Sequence, residues 1–180
     1  MAINLIVQQA KQGNALAKAT LYEQYAKPLY NLCIKLLGNI HDAEDVLQEG
    51  FIQAFDKLQQ LQQNDLFGPW LKKIMVNKCF VQLRKVKANW QIVPLIDDVD
   101  VADEIDYTGL NISATQINDA IVKLPNGCRQ IVVLYLLENY THKAIAEELG
   151  IAESTSKSQY QYGKKLLKTS LQHIITKNEY

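Results

Sequence analysis

Three groups of side chains in this chain have types and spacings that could do chemistry, and in each case the chemistry is recognition. The first is a basic stripe. Lys73, Asn77, Phe80, Arg84 and Lys87 step by 4, 7, 11 and 14 residues, so on a helix they share one face. Bases interleaved with an aromatic ring form a surface on which a single nucleic-acid strand can track and stack. The competing reading puts Phe80 in a core and leaves the lysines solvated. The second group is an acidic face with an apolar centre: Asp45, Gln48, Glu49, Ile52 and Asp56. A solvated face needs no Ile52, whereas a docking face uses such a residue as its anchor and the charges as its rim. The third lies on a helix from about Glu153, which carries Lys157, Lys164, Lys165 and Lys168 and suits phosphates. Bond-making chemistry has no seat. No nucleophile stands near a plausible base, and no Gly-rich phosphate loop occurs. His41, His142 and His173 share no ligand spacing with Cys33, Cys79 and Cys128. Neither a metal nor another cofactor is expected.

The elements that must position these groups are all helices. A short one covers Ile3 to Gln12, and a longer one runs from about Ala15 to Leu37, with a kink expected at Pro28. The acidic face belongs to a helix from Asp42 to Leu58. Its inner stripe is Leu47, Phe51, Ala54, Phe55 and Leu58. Asp42 is expected to cap it, with Asp45 completing an acidic capping box. Gly50 interrupts the same helix beside the inner stripe, where another helix must come close. A polar, Gln-rich loop, Gln59 to Gly68, leads to a helix opened by Pro69 that carries the basic stripe.

Further on, Ile117, Ala120, Ile121 and Leu124 make a short amphipathic helix. Asn126 to Glu138 is apolar enough to be a central buried helix, including Leu136 and Leu137. Thr141 can cap the next helix, with Ala144, Ile145 and Leu149 on one face, and Gly150 ends it. The helix from Glu153 then follows a sharp turn. Such a pair is a helix-turn-helix, whose second member can enter a DNA major groove, or else an ordinary helical hairpin with a solvated basic face.

Charge divides the chain. The 19 basic and 19 acidic residues cancel overall, but residues 91–118 hold six acids and no Lys or Arg. The expected organisation is all-α: residues 1–92 as one small helical domain, 93–114 as a flexible acidic linker, and 115–180 as a second domain containing the helix-turn-helix. Ile92, Val93, Leu95 and Ile96 around Pro94 are expected to lie extended. The three cysteines are isolated in sequence and are expected as buried free thiols. No apolar run approaches the ~18 residues of a membrane span and no signal peptide opens the chain, so a cytoplasmic protein without membrane insertion is expected.

Three segments together resemble bacterial sigma factors of the extracytoplasmic-function (ECF) group: LYEQYAKPLYNLCIKLLGNIHDAEDVLQEGFIQAF from Leu21, FGPWLKKIMVNKCFVQLRK from Phe67, and LPNGCRQIVVLYLLENYTHKAIAEELGIAESTSKSQ from Leu124. The segment DAEDVLQE is more specific than the helix-turn-helix. The resemblance covers nearly the whole chain. It implies a subunit without catalysis that binds RNA polymerase core and directs it to promoters. In that scheme Asp45, Gln48, Glu49 and Ile52 contact the clamp helices of the largest polymerase subunit. The resemblance also implies that the first domain melts the minus-ten element and holds its non-template strand. Lys73 and Asn77 match strand-contacting positions, Phe80 and Arg84 share their face, and the Gln59–Gly68 loop selects a flipped base. In the second domain Arg129 matches a phosphate contact. Ser154, Thr155, Lys157, Ser158 and Gln161 match the face that reads duplex DNA at the minus-thirty-five element. Ser156 stands where the family commonly buries Val. An anti-sigma factor is a further partner implied by the resemblance. The alternative reading is a stand-alone helix-turn-helix transcriptional regulator, which leaves the Ile52 face and the Lys73 stripe without a purpose.

Overall fold

The computed structural model describes residues 3–86 and 113–178; for residue 86 and residues 174–178 the backbone alone is described. Residues 93–112 of the expected linker, Lys87, and the extended stretch around Pro94 lie outside the described residues, while Ser113 and Ala114, at the expected linker's end, already belong to the start of the next helix. Every regular element among the described residues is helical. The chain divides into two compact units, residues 1–85 and 86–180.

In the first unit, α1 (Ile3–Lys11) buries Ile6, Val7 and Ala10 on the face it presents to α2 (Ala15–Leu37). Asn14 caps α2 by accepting a hydrogen bond from Ala17 N–H. The helix runs uninterrupted through Pro28, which is exposed. α3 (Ile40–Asp56) starts immediately after α2 ends. Its cap is therefore Asn39, which accepts from His41 N–H at 2.8 Å and Asp42 N–H at 3.3 Å. Asp42 lies inside the first turn, so the expected Asp42–Asp45 capping box is corrected. The Asp42 carboxylate instead accepts from Gln82 Nε2 at 2.9 Å and ties α3 to α4 (Phe67–Val86). α4 thus begins two residues before Pro69.

The core of this unit joins Leu47, Phe51, Ala54 and Leu58 to Phe67, Leu71, Met75, Val76, Cys79, Phe80 and Leu83. Tyr22 lies against Phe51 with ring centroids 4.7 Å apart, and Tyr25 meets Phe67 edge-on at 5.3 Å. Phe55 is half-buried, with the Lys18 ammonium 5.7 Å from its ring centre. At Gly50 the α4 side chain Met75 packs directly against α3: a Cβ there would overlap Met75 Sδ. Cys33 and Cys79, far apart in sequence, meet in this core. A hydrogen bond between the two thiols, and then burial, push the Cys79 thiol well above its ordinary range.

In the second unit, α5 (Ala114–Val122) opens with a capping box. Gln116 N–H donates to Ser113 Oγ at 3.2 Å, and Ser113 N–H donates to Gln116 Oε1 at 2.8 Å. α6 (Asn126–Val132) is wholly buried along Cys128–Val132 and passes into a π-helical turn, Val133–Leu137. There Glu138 N–H reaches Val133 O at 3.1 Å, and Asn139 takes a left-handed conformation with φ 57°. The wider turn carries the chain away from the core. Leu136 and Leu137 are 49% and 41% exposed, which corrects the expected continuous buried helix to Glu138.

α7 (His142–Leu149) buries Ile145, Ala146 and Leu149. Thr141 Oγ1 caps it by accepting from Ala144 N–H at 3.1 Å. Gly150 is left-handed, and Ile151 N–H closes back on Ala146 O at 3.0 Å. α8 (Glu153–Asn178) packs on α6 and α7. Gly163 lets it approach α6, because a Cβ there would come within 2.8 Å of Val132 Cγ2 and 3.1 Å of Cys128 Cβ.

Candidate nucleic-acid and partner interfaces

On α3 the inner and outer faces separate cleanly. Asp45, Gln48, Glu49 and Ile52 are all exposed, while Val46, Leu47, Gly50 and Phe51 between them are buried. Ile52 is 62% exposed and leaves an apolar knob within an acidic rim. Glu49 is not a free carboxylate. Its Oε2 pairs with Lys78 Nζ of α4 at 2.9 Å. The Lys78 hydrogen bond and charge hold Glu49 below the usual carboxylate range. The pair borders an open groove of about 540 Å³ between α3 and α4, lined by Asp45, Glu49, Asn77, Lys78, Val81 and Lys85. One concavity therefore adjoins both the acidic face and Asn77 of the basic stripe.

The stripe itself is partly corrected. Lys73, Asn77 and Arg84 are exposed, but Phe80 is 1% exposed and belongs to the core. At ~100° per residue Phe80 lies only about 20° from Lys73, on the border of the buried sector, and its long ring folds inward rather than out. A strand on this face would meet Lys73, Asn77 and Arg84 without an aromatic platform from Phe80.

In the second unit, Ser154 and Lys157 are exposed and Thr155, Ser158 and Gln161 are half-buried along the first turns of α8. Lys157 Nζ pairs with Glu153 Oε1 at 2.8 Å, both ends exposed, so the pair is weak and open to exchange. Ser158 Oγ donates to Thr155 O at 3.1 Å. Arg129 does not join this face. It is 5% exposed, its Nη1 donates to Val122 O at 3.2 Å and Leu124 O at 3.3 Å, and its Nη2 donates to Asn126 Oδ1 at 2.7 Å. It closes the C-terminal end of α5 and the turn into α6, away from the exposed face of α8. Burial lowers its pKa.

Two polar contacts under the recognition helix were not anticipated. Ser156 is fully buried and its Oγ lies 2.9 Å from His142 Nδ1. Tyr135 stacks on the His142 ring at 4.3 Å, and Tyr160 packs on both. Burial, and then Lys157, hold the His142 pKa below its ordinary value. Gln159 is also buried and accepts from Cys128 Sγ at 3.0 Å, while burial pushes that thiol up to about 11. The unusual Ser156 was the one visible signal for the first contact.

The residues that carry these surfaces coincide with two family models. Sigma-70 region 2 matches residues 21–89 and Sigma-70 region 4 matches residues 114–167. The chain is 30% identical over 186 aligned residues to the ECF RNA polymerase sigma factor SigW of Bacillus subtilis, covering 97% of this chain and 99% of that one. The chain belongs to the ECF RNA polymerase sigma factors. It is also 30% identical to the ECF sigma factor SigM of Mycobacterium tuberculosis, over 82% of this chain and 73% of that one. Among solved structures, CnrH in its complex with the cytosolic domain of CnrY shares the fold, with TM-score 0.52 and 20% identity over 96% of this chain and 99% of that chain. In this sigma factor α2 from Leu21 onward, α3 and α4 fall within the region 2 match, and α5, α6, α7 and the first half of α8 within the region 4 match. α1 lies ahead of both. No helix among the described residues is long and apolar enough to cross a membrane, and they contain no cluster of metal-ligating side chains.

Proposed function

We propose that this sigma factor docks on RNA polymerase core through the outer face of α3, with Ile52 as the anchor and Asp45, Gln48 and Glu49 as its rim, against the clamp helices of the largest subunit. The observation that carries this is the 62% exposure of Ile52 between buried neighbours of the same helix. The exposed Lys73, Asn77 and Arg84 on α4 hold the non-template strand of the minus-ten element, and the loop between α3 and α4 selects its flipped base. Ser154, Thr155, Lys157, Ser158 and Gln161 on α8 enter the major groove at the minus-thirty-five element. The protein supplies no catalysis of its own, works in the cytoplasm, and is held in check by an anti-sigma factor. Residues 1–92 and 115–180 act as separate domains joined by 93–114.

The test is assembly of the chain with core polymerase, followed by run-off transcription. We expect Lys73→Ala with Asn77→Ala to retain assembly but lose permanganate-reactive opening of a duplex promoter. Normal opening, with poor transcription even from a pre-melted bubble, would overturn the strand assignment. Binding to promoter duplex alone, with no affinity for core, would instead favour a stand-alone regulator.

A further inference from the structure

The loop between α3 and α4 is tied to α1 by side-chain hydrogen bonds. Two 3-10 turns, Leu58–Gln60 and Asn64–Leu66, make up most of it, and Leu58 and Leu61 are buried beneath it. Lys11 Nζ donates to the Leu61 carbonyl. The Lys11 carbonyl is among those left without a partner at the end of α1, and it accepts from Gln59 Nε2 at 2.6 Å. The last residue of α1 thus both gives to and takes from the loop. At the other end of the helix, Asn64 Nδ2 lies 3.5 Å from Asn4 O. The pinned residues alternate with exposed ones: Gln62 and Gln63 point to solvent between buried Leu61 and half-buried Asn64.

We propose that α1, which precedes the matched region 2 segment, is a specificity-determining scaffold. The Lys11–Gln59–Leu61 clasp fixes where Gln62 and Gln63 meet the captured base, and Lys11 is its positioning residue. This rests on the assignment of the loop to base capture. The ligand is single-stranded promoter DNA, and Lys11 acts on it only through the loop. A side chain held within a fraction of an ångström discriminates between base edges, and one free to wander does not.

The experiment uses holoenzyme assembled from the whole chain and a fork-junction library randomised across the minus-ten non-template strand. Lys11→Met keeps the aliphatic stem and removes the donor; Lys11→Arg keeps a donor. Gln59→Met opens the other half of the clasp and serves if Lys11→Met does not fold. Gln62→Ala with Gln63→Ala tests the loop itself. Lys11→Met should lower base discrimination at the captured position by about tenfold, the worth of one charge-assisted hydrogen bond. Core affinity should stay within about twofold, and Lys11→Arg should restore the preference. Parental preference in Lys11→Met, beside altered preference in the Gln62/Gln63 variant, would overturn the scaffold role alone. Unchanged preference in both would remove the loop assignment and the scaffold with it. Loss of core affinity in step with discrimination would make the clasp merely structural and also overturn the proposal.

Discussion

Replacing Ile52 by Ala should separate docking from folding. Fully burying an isoleucine is worth about 1.5–3 kcal/mol. In the free chain Ile52 is still 62% exposed, so a partner that covers it can gain roughly three fifths of that, about 1–2 kcal/mol. Truncation to Ala should therefore weaken core binding by about 5- to 30-fold. Folding should not suffer, because the lost methyl groups face solvent and Ala is the better helix former by a few tenths of a kcal/mol. Phe51, the preceding residue, is the contrast. It is 3% exposed and packed on Tyr22, and Phe51→Ala should cost about 3–5 kcal/mol of stability. Competition of labelled chain for core polymerase gives the affinity, and thermal melting by circular dichroism gives the stability. Parental affinity for Ile52→Ala would refute the anchor. A melting temperature that falls with the affinity would show that Ile52 supports the fold, and the reasoning from exposure would fail.

Three other outcomes follow from the second unit. His142 has a folded pKa below its unfolded value of about 6.5, so the unfolded chain takes the proton first as pH falls. Stability should be full above about pH 7 and decline through pH 6.5 and below, and urea unfolding of His142→Gln across pH 5 to 8 should show a shallower decline. Arg129→Gln should cost about 2–4 kcal/mol of stability by leaving the Val122 and Leu124 carbonyls short of a donor, yet leave the salt dependence of duplex binding unchanged. A salt slope flattened by ~0.9 would restore Arg129 as a phosphate contact. Gln161→Ala should relax the choice at one or two minus-thirty-five base pairs, at ~1–3 kcal/mol each, whereas Lys165→Ala should weaken all sequences alike. A randomised minus-thirty-five library selected with each variant reads both, and reversed outcomes would mean that a different face of α8 reads the bases.

What the sequence made legible was set by period and by punctuation. Leu47, Phe51, Ala54 and Leu58 repeat at helical spacing and are all buried, which leaves Ile52 outside by elimination. Thr141 and Gly150 bound α7 at the expected ends, because capping chemistry is local. The failures lie where local pattern does not decide. Phe80 shares an azimuth with Lys73, but size and solvation send the two side chains in opposite directions from one border. Arg129 was tied to phosphate by resemblance alone, and nothing in its neighbours announces that its guanidinium would hold the carbonyls at the end of α5. The π turn spends one extra residue, and that suffices to carry Leu136 and Leu137 out of a buried register. Asn39 took the capping role from Asp42 because α3 begins directly after the end of α2, without a linker. The Lys11 clasp and the His142–Ser156 contact join residues 50 and 14 positions apart, and no spacing rule reaches across such gaps.

The fit of α4 over Gly50 gives the first unit an internal chemical clock. Met75 is one of only two methionines in the chain, and it is fully buried, its thioether seated where a side chain on residue 50 would otherwise stand. The sulfoxide would put a polar oxygen into this apolar core, and peroxide cannot reach the fully buried sulfur while the helices stay together. Oxidation of Met75 must wait for the unit to open, so its rate under peroxide, followed by peptide mass, counts openings of the fold. A polymerase that clamps this unit shut would slow the clock, and release from the polymerase would let it run again.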